Sequence, residues 1–315
     1  MPVRRLQEVG GGSLSITLPK GWAKRQGLGK GSLVVIEESP TGALTVVPAE
    51  PREAVTTISH SPGDVRGTVR KLFAAYLDGY DVIDVVSEGF IPSEDRSVIK
   101  RAASALPGLE VLGEEASKIS LRCVLDPSLL NPRELMTRLG DLVAGMLRDL
   151  SRAMESGGAD LAELVAERDD EVDRLYFLLV RLVRKSAMDP SLASKSGLSP
   201  AELIDYRVAA LLLESAADSL VLLARSYRVF GAPEPELARV AGSAADLVRR
   251  CLQALLERDV SSAVGAQSSA RSLERELAGY EGPAARSADY LGDVLDRLID
   301  VCDLVSPGAG HQALT

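Results

Sequence analysis

Glu167-Arg168-Asp169-Asp170-Glu171-Val172-Asp173-Arg174-Leu175-Tyr176-Phe177 decides how most of this chain folds. Apolar side chains fall at Val172, Leu175 and Tyr176, continue through Leu179, Leu182 and Val183, and are preceded by Leu164 and Val165. Steps of three and four give one apolar face of an α-helix, predicted over 161–188. Asp169 and Asp173, four apart, share a second face. Working outward, the same periodicity predicts helices over 135–154, 237–256, 260–280 and 284–305. Another opens at Ser199-Pro200, a natural N-cap and first position, and runs to about residue 230. Six long helices joined by short loops imply two up-and-down three-helix bundles over 127–306. The Gly- and Ala-rich stretch 307–315 reads as a frayed tail.

Composition sets outer bounds. The chain has 315 residues, 46% hydrophobic but only 4% aromatic, so its cores must be built mainly from Leu, Val, Ile and Ala. The formal charge of −9 argues against a globally basic nucleic-acid binder, and any DNA contact must come from a local patch. Residues 1–50 hold six basic against four acidic residues, a net of +2, which leaves −11 for the remainder. Cys123, Cys251 and Cys302 form no CxxC pair and read as buried reduced thiols of a cytosolic protein. Arg4 and Arg5 are followed by no apolar run, so no signal peptide is expected. Glu214 and Asp218 interrupt the most apolar helix, so no membrane span is expected and a cytoplasmic protein is. His60 and His311 are the only histidines, too few for a His-based metal or nucleophile site, and no enzyme is expected.

Ahead of the helices, period-two alternation in Ser13-Leu14-Ser15-Ile16-Thr17-Leu18 predicts a half-buried strand. It follows a strand over 3–9 and the Gly10-Gly11-Gly12 turn. Pro19 then opens a short helix over 20–26, with Trp22 packing it onto the core. Strands follow over 33–36 and 43–47, turned by Pro40-Thr41-Gly42. So small a unit has little core of its own, and dimerisation is expected. Arg4, Arg5, Lys20, Lys24 and Arg25 supply positive charge, and Ser13, Ser15 and Thr17 supply donors for phosphate oxygens, so these are the candidate DNA contacts. Residues 52–126 alternate strand, helix, strand, helix, strand, strand: a small α/β domain with no phosphate-binding glycine loop.

The segment from Val9 through Gly10-Gly11-Gly12, Pro19-Lys20-Gly21-Trp22-Ala23 and on to Leu28-Gly29-Lys30-Gly31-Ser32 and Val34-Val35-Ile36 resembles the swapped-hairpin domain of AbrB/MazE-type transcription factors. That resemblance implies an intertwined homodimer, a swapped-hairpin β-barrel over residues 1–50, and a DNA or antitoxin partner. Asp169, Val172, Asp173 and Leu175, with Glu214 and Asp218, resemble the bundle motifs of PhoU-type phosphate-uptake regulators; Asp296 and Asp300 look like their counterpart in the second bundle. The run Glu167–Phe177 followed by Leu198-Ser199-Pro200 is most similar to an archaeal branch that joins an AbrB-like head to a PhoU-like body. The fold class expected is thus multidomain α+β: barrel, small middle α/β domain, paired PhoU-like bundles.

The PhoU resemblance implies a cytoplasmic, non-enzymatic regulator whose carboxylates Asp169, Asp173, Glu214, Asp218, Asp296 and Asp300 bind a divalent or iron-type metal ion. Spacing alone leaves open that Arg168, Arg174 and Arg297 neutralise them instead. The chain departs from that family in both bundles: Ser215 and Ser219 stand where it has Arg and His in the third helix, and 264–269 in the fifth lacks paired acids altogether, which leaves the first bundle as the better site. Two functions follow. One is a DNA-binding regulator with a sensing or partner-binding body; the other is an adaptor of the phosphate transporter or a sensor protein that does not bind DNA.

Overall fold

The computed structural model describes residues 3–38, 42–49, 53–230 and 232–306. The expected turn at 40–41 and the tail 307–315 lie outside the described residues. The chain divides into two compact units, Met1–Glu53 and Ala54–Thr315.

In the first unit, β1 (Gln7–Val9) and β2 (Ser13–Ser15) form an antiparallel hairpin across the glycine turn, pairing Gln7 with Ser15 and Val9 with Ser13. Gly10, Gly11 and Gly12 all have positive φ, which suits a residue without Cβ. Helix α1 (Lys20–Arg25) follows Pro19 and carries Lys24 and Arg25 in its last turn, where cations complement the helix dipole. Strands β3 (Val34–Glu38) and β4 (Leu44–Pro48) form a second hairpin. The β-barrel expectation is overturned: among the described residues the two hairpins remain separate two-stranded sheets, and no sheet closes. Closure needs hydrogen bonds between hairpins, and strands of three to five residues offer few. Leu6, Leu14, Ile16, Leu33 and Ile36 are accordingly exposed, and Trp22 is half-buried.

The second unit opens with an α/β layer that follows the expected order: β5 (Val55–Ser59), α2 (Val65–Leu77), β6 (Val82–Val86), α3 (Ser93–Ser104), β7 (Leu109–Glu115) and β8 (Lys118–Cys123). The sheet order is β5-β6-β8-β7, with β5 parallel to β6 and the other pairs antiparallel. Leu72, Tyr76, Ile83, Ile99, Ile119 and Leu121 fill its core. Asp64 caps α2 by accepting from Gly67 N–H. Arg96 of α3 donates to the Glu115 and Ala116 carbonyls, at 2.8 and 3.1 Å, tying α3 to the β7–β8 turn.

The helical body comprises α4 (Pro132–Ser156), α5 (Ala159–Glu167), α6 (Asp169–Met188), a short α7 (Pro190–Ser196), α8 (Pro200–Phe230), α9 (Pro235–Glu257), α10 (Val260–Leu277) and α11 (Pro283–Asp303). The helix expected over 161–188 is broken at Arg168, which puts Asp169, Asp170 and Glu171 in the first turn of α6, where negative charge is favoured. Ser199 and Glu202 form a reciprocal capping box at α8: Glu202 N–H donates to Ser199 Oγ, and Ser199 N–H to Glu202 Oε2. One apolar core runs through all the long helices: α4 packs along α9 and α8 along α11, joining the first helical half to the second. Among the described residues, no helix is long and apolar enough to cross a membrane.

Candidate functional sites

The acidic face forms where α6 and α8 run side by side. Asp169 and Asp173 come from α6, Glu214 and Asp218 from α8. Partial burial pushes Asp173 up to about 6, and the charges of Asp169, Asp218 and Asp170 push the same way. Burial likewise raises Glu214 to about 7, seconded by Asp218, Asp173 and Asp169 and opposed by Arg207. Asp169 is also raised, by burial and then Asp218, with Arg225 acting against it. These four expected residues are therefore brought within electrostatic reach of one another. Asp296 and Asp300 are not part of the group. Asp296 lies beside Glu274 of α10, and Asp300 sits 3.9 Å from Arg297.

The metal expectation is overturned: among the described residues no group of three or more His, Cys, Asp or Glu side chains is placed to hold a metal ion. Hard cations need several oxygens converging on one point at about 2.0–2.6 Å. The four carboxylates act on one another through space, with Arg207 and Arg225 among them, rather than converging. Arg297 of α11 donates from Nε to Ser215 Oγ at 3.2 Å, so a guanidinium from the second helical half reaches the α8 turn between Glu214 and Asp218.

In the N-terminal unit Arg4, Arg5, Ser13, Thr17, Lys20, Lys24 and Arg25 are all exposed, and Ser15 is half-buried. Ser15 Oγ donates to the Gln7 carbonyl across the hairpin at 3.3 Å. Thr17 lies beyond β2, which ends earlier than the alternation predicts.

Three further clusters escaped the sequence reading. His60 is buried, with Nδ1 2.8 Å from Thr68 Oγ1 and Nε2 3.2 Å from Asp95 Oδ2. Cys251 of α9 and Cys302 of α11 meet in the core, where their mutual hydrogen bond, then burial, raises the Cys251 thiol. Arg181 of α6 is buried against the α/β layer. It lies 4.8 Å from the centre of the Tyr76 ring and donates to the Tyr76 carbonyl at 2.5 Å and to Asp81 at 3.4 Å. Lys185 Nζ joins it on Asp81 at 2.5 Å, and Phe177 packs edge-on against Phe73 with ring centres 5.1 Å apart. The apolar spacing of α6 gives no hint that an arginine belongs inside.

Residues 136–226 match the model of the PhoU domain, and residues 7–54 match that of MazE, the antidote-toxin recognition family of bacterial antitoxins. No curated protein matches the chain. Among solved structures, PhoU from Pseudomonas aeruginosa is similar at 18% identity and a TM-score of 0.45, over 55% of this chain and 93% of that one. The phosphate transport system regulatory protein PhoU from Streptococcus pneumoniae is similar at 16% identity and a TM-score of 0.45, over 55% of this chain and 91% of that one. The chain thus joins a MazE-like N-terminal domain to a PhoU-like C-terminal domain.

Proposed function

We propose that this chain is a cytoplasmic, dimeric regulator of phosphate uptake that binds DNA through its N-terminal unit and reports on a partner through its helical body. The observation that carries the reading is the joining, in one chain, of a MazE-like segment bearing exposed Arg4, Arg5, Lys20, Lys24 and Arg25 to a PhoU-like helical domain. Cationic side chains on one small unit suit phosphate contacts, and Ser13, Ser15 and Thr17 add donors. A second copy would cover Leu6, Leu14, Ile16, Leu33 and Ile36 and double the basic surface, which suits a pseudo-palindromic site. The reading assigns no catalytic step to the chain.

Fluorescence anisotropy at two salt concentrations tests it, using DNA from upstream of the chain's own gene and of neighbouring transporter genes. Submicromolar binding to one fragment, weakening steeply with salt, is expected. Replacing Arg4, Arg5 and Lys20 together with Ala should weaken binding at least about tenfold and flatten the salt dependence. A folded dimer that ignores every fragment at both salts would overturn DNA binding and leave the adaptor reading, in which the N-terminal unit only dimerises the chain.

A further inference from the structure

Helix α8 carries an apolar stripe that its neighbours among the described residues of the helical body leave exposed. Ile204, Leu211, Leu222 and Val229 are 65, 44, 47 and 73% exposed, although most of the other apolar side chains of α8 are buried. With Asp218 they follow steps of seven, seven, four and seven, which holds them on one face of the helix. At 1.5 Å per residue the stripe runs for about 38 Å, the length of a long partner helix.

The borders of the stripe select its occupant. Asp218 interrupts it and is itself exposed. Along one edge stand Glu214 and, from α6, Asp169 and Asp173, whose ionisation is held back by burial and by neighbouring acids; Arg207 and Arg225 of α8 oppose this at Glu214 and Asp169, leaving four carboxylates, with Asp218, against two guanidinium groups. On the α11 side the cation, Arg297, is already engaged by Ser215 and Asp300. An incoming cation would relieve the repulsion among the acids, whereas a nucleic acid or an anionic membrane would add to it. A twofold contact with a second copy would set Asp218 against its own counterpart.

We propose that the outer face of α8, bordered by α6 and α11, docks a cationic amphipathic helix of a partner protein, apolar side chains on the stripe and Lys or Arg against the flanking carboxylates. The inference concerns the helical body alone and stands apart from DNA binding, so either can fail without the other.

The test uses the full chain and a labelled synthetic helix of ~22 residues, Leu at the three–four spacing and Lys or Arg elsewhere, beside a scrambled peptide of identical composition. Micromolar binding is expected for the amphipathic peptide, and at least about tenfold weaker binding for the scramble. The double replacement Leu211→Ser with Leu222→Ser, which leaves the charge unchanged, should weaken binding about tenfold, and so should Asp218→Lys. All three positions are exposed, and unchanged thermal melting of the variants verifies that they fold. Equal binding of both peptides, no binding, or binding indifferent to the Leu replacements would overturn the proposal. So would a drop in oligomeric state on sedimentation of the Leu variant, which would assign the face to a second copy of the chain.

Discussion

Glu214 shows what a single carboxyl costs this molecule. Its ordinary value is 4.5, and in the folded chain it stands near 7. Between those values the folded state holds a proton that the unfolded state has released, so stability is full below about 4.5 and is lost as pH rises through 7. Glu214→Gln removes the ionisation, and Asp173→Asn acts the same way with its loss centred near 6. Both sites are partly exposed and water screens them, so the gain at pH 8 is of the order of 1 kcal/mol, a rise of roughly 2–4 °C in melting temperature. Melting each variant at pH 4 and at pH 8 checks it. The gain belongs at the higher pH, and an equal shift at both would show that repulsion among the acids is not its source.

At the scale of elements, the join between α2 and α6 depends on a glycine. Gly79 ends the turn after α2 with φ of +88°, and a Cβ there would lie 2.6 Å from Lys185 Cγ on α6. Gly79→Ala therefore meets backbone strain and a blocked approach at once, and should destabilise the protein by about 2 kcal/mol, measurable by urea titration. A companion change, Gly89→Ala, has open space and a negative φ, and should cost well under about 1 kcal/mol. Glycine after an apolar run is a helix stop signal, so the end of α2 at Gly79 is legible in the sequence. The approach of Lys185 is not legible there, because it arrives from far along the chain. The same limit explains the acidic face. Spacing four put Asp169 with Asp173 and Glu214 with Asp218, but which pairs meet depends on helix packing, and Asp296 with Asp300 went elsewhere.

At the scale of the molecule, Arg181 holds the α/β layer to the helical body. Its guanidinium is buried, so Arg181→Ala leaves the Tyr76 carbonyl without that donor and Asp81 with only one of its two side-chain cations. A loss of about 2–3 kcal/mol is expected, because removing one partner of a buried polar group strands the other. Circular dichroism at 222 nm reads this in the helix-rich second unit, while Trp22, the chain's single tryptophan, reads the first. An unchanged circular dichroism midpoint would show that the clamp contributes nothing to holding the layers together.

The sequence by itself determined where most helices and strands lie and where a strong cap falls, though not the break at Arg168, the short α7 or the early end of β2. Those properties follow from local periodicity and from short-range hydrogen bonds such as the Ser199–Glu202 box. It also determined the charge contrast between the two ends of the chain. Only the tertiary structure decided that the hairpins stay apart, that the two helical halves share one core, that Cys251 meets Cys302, and that Arg181 is buried while the stripe on α8 is not. Each of these is settled by contacts between residues distant in the chain, and a side chain's spacing along its own helix does not say which neighbour will cover it.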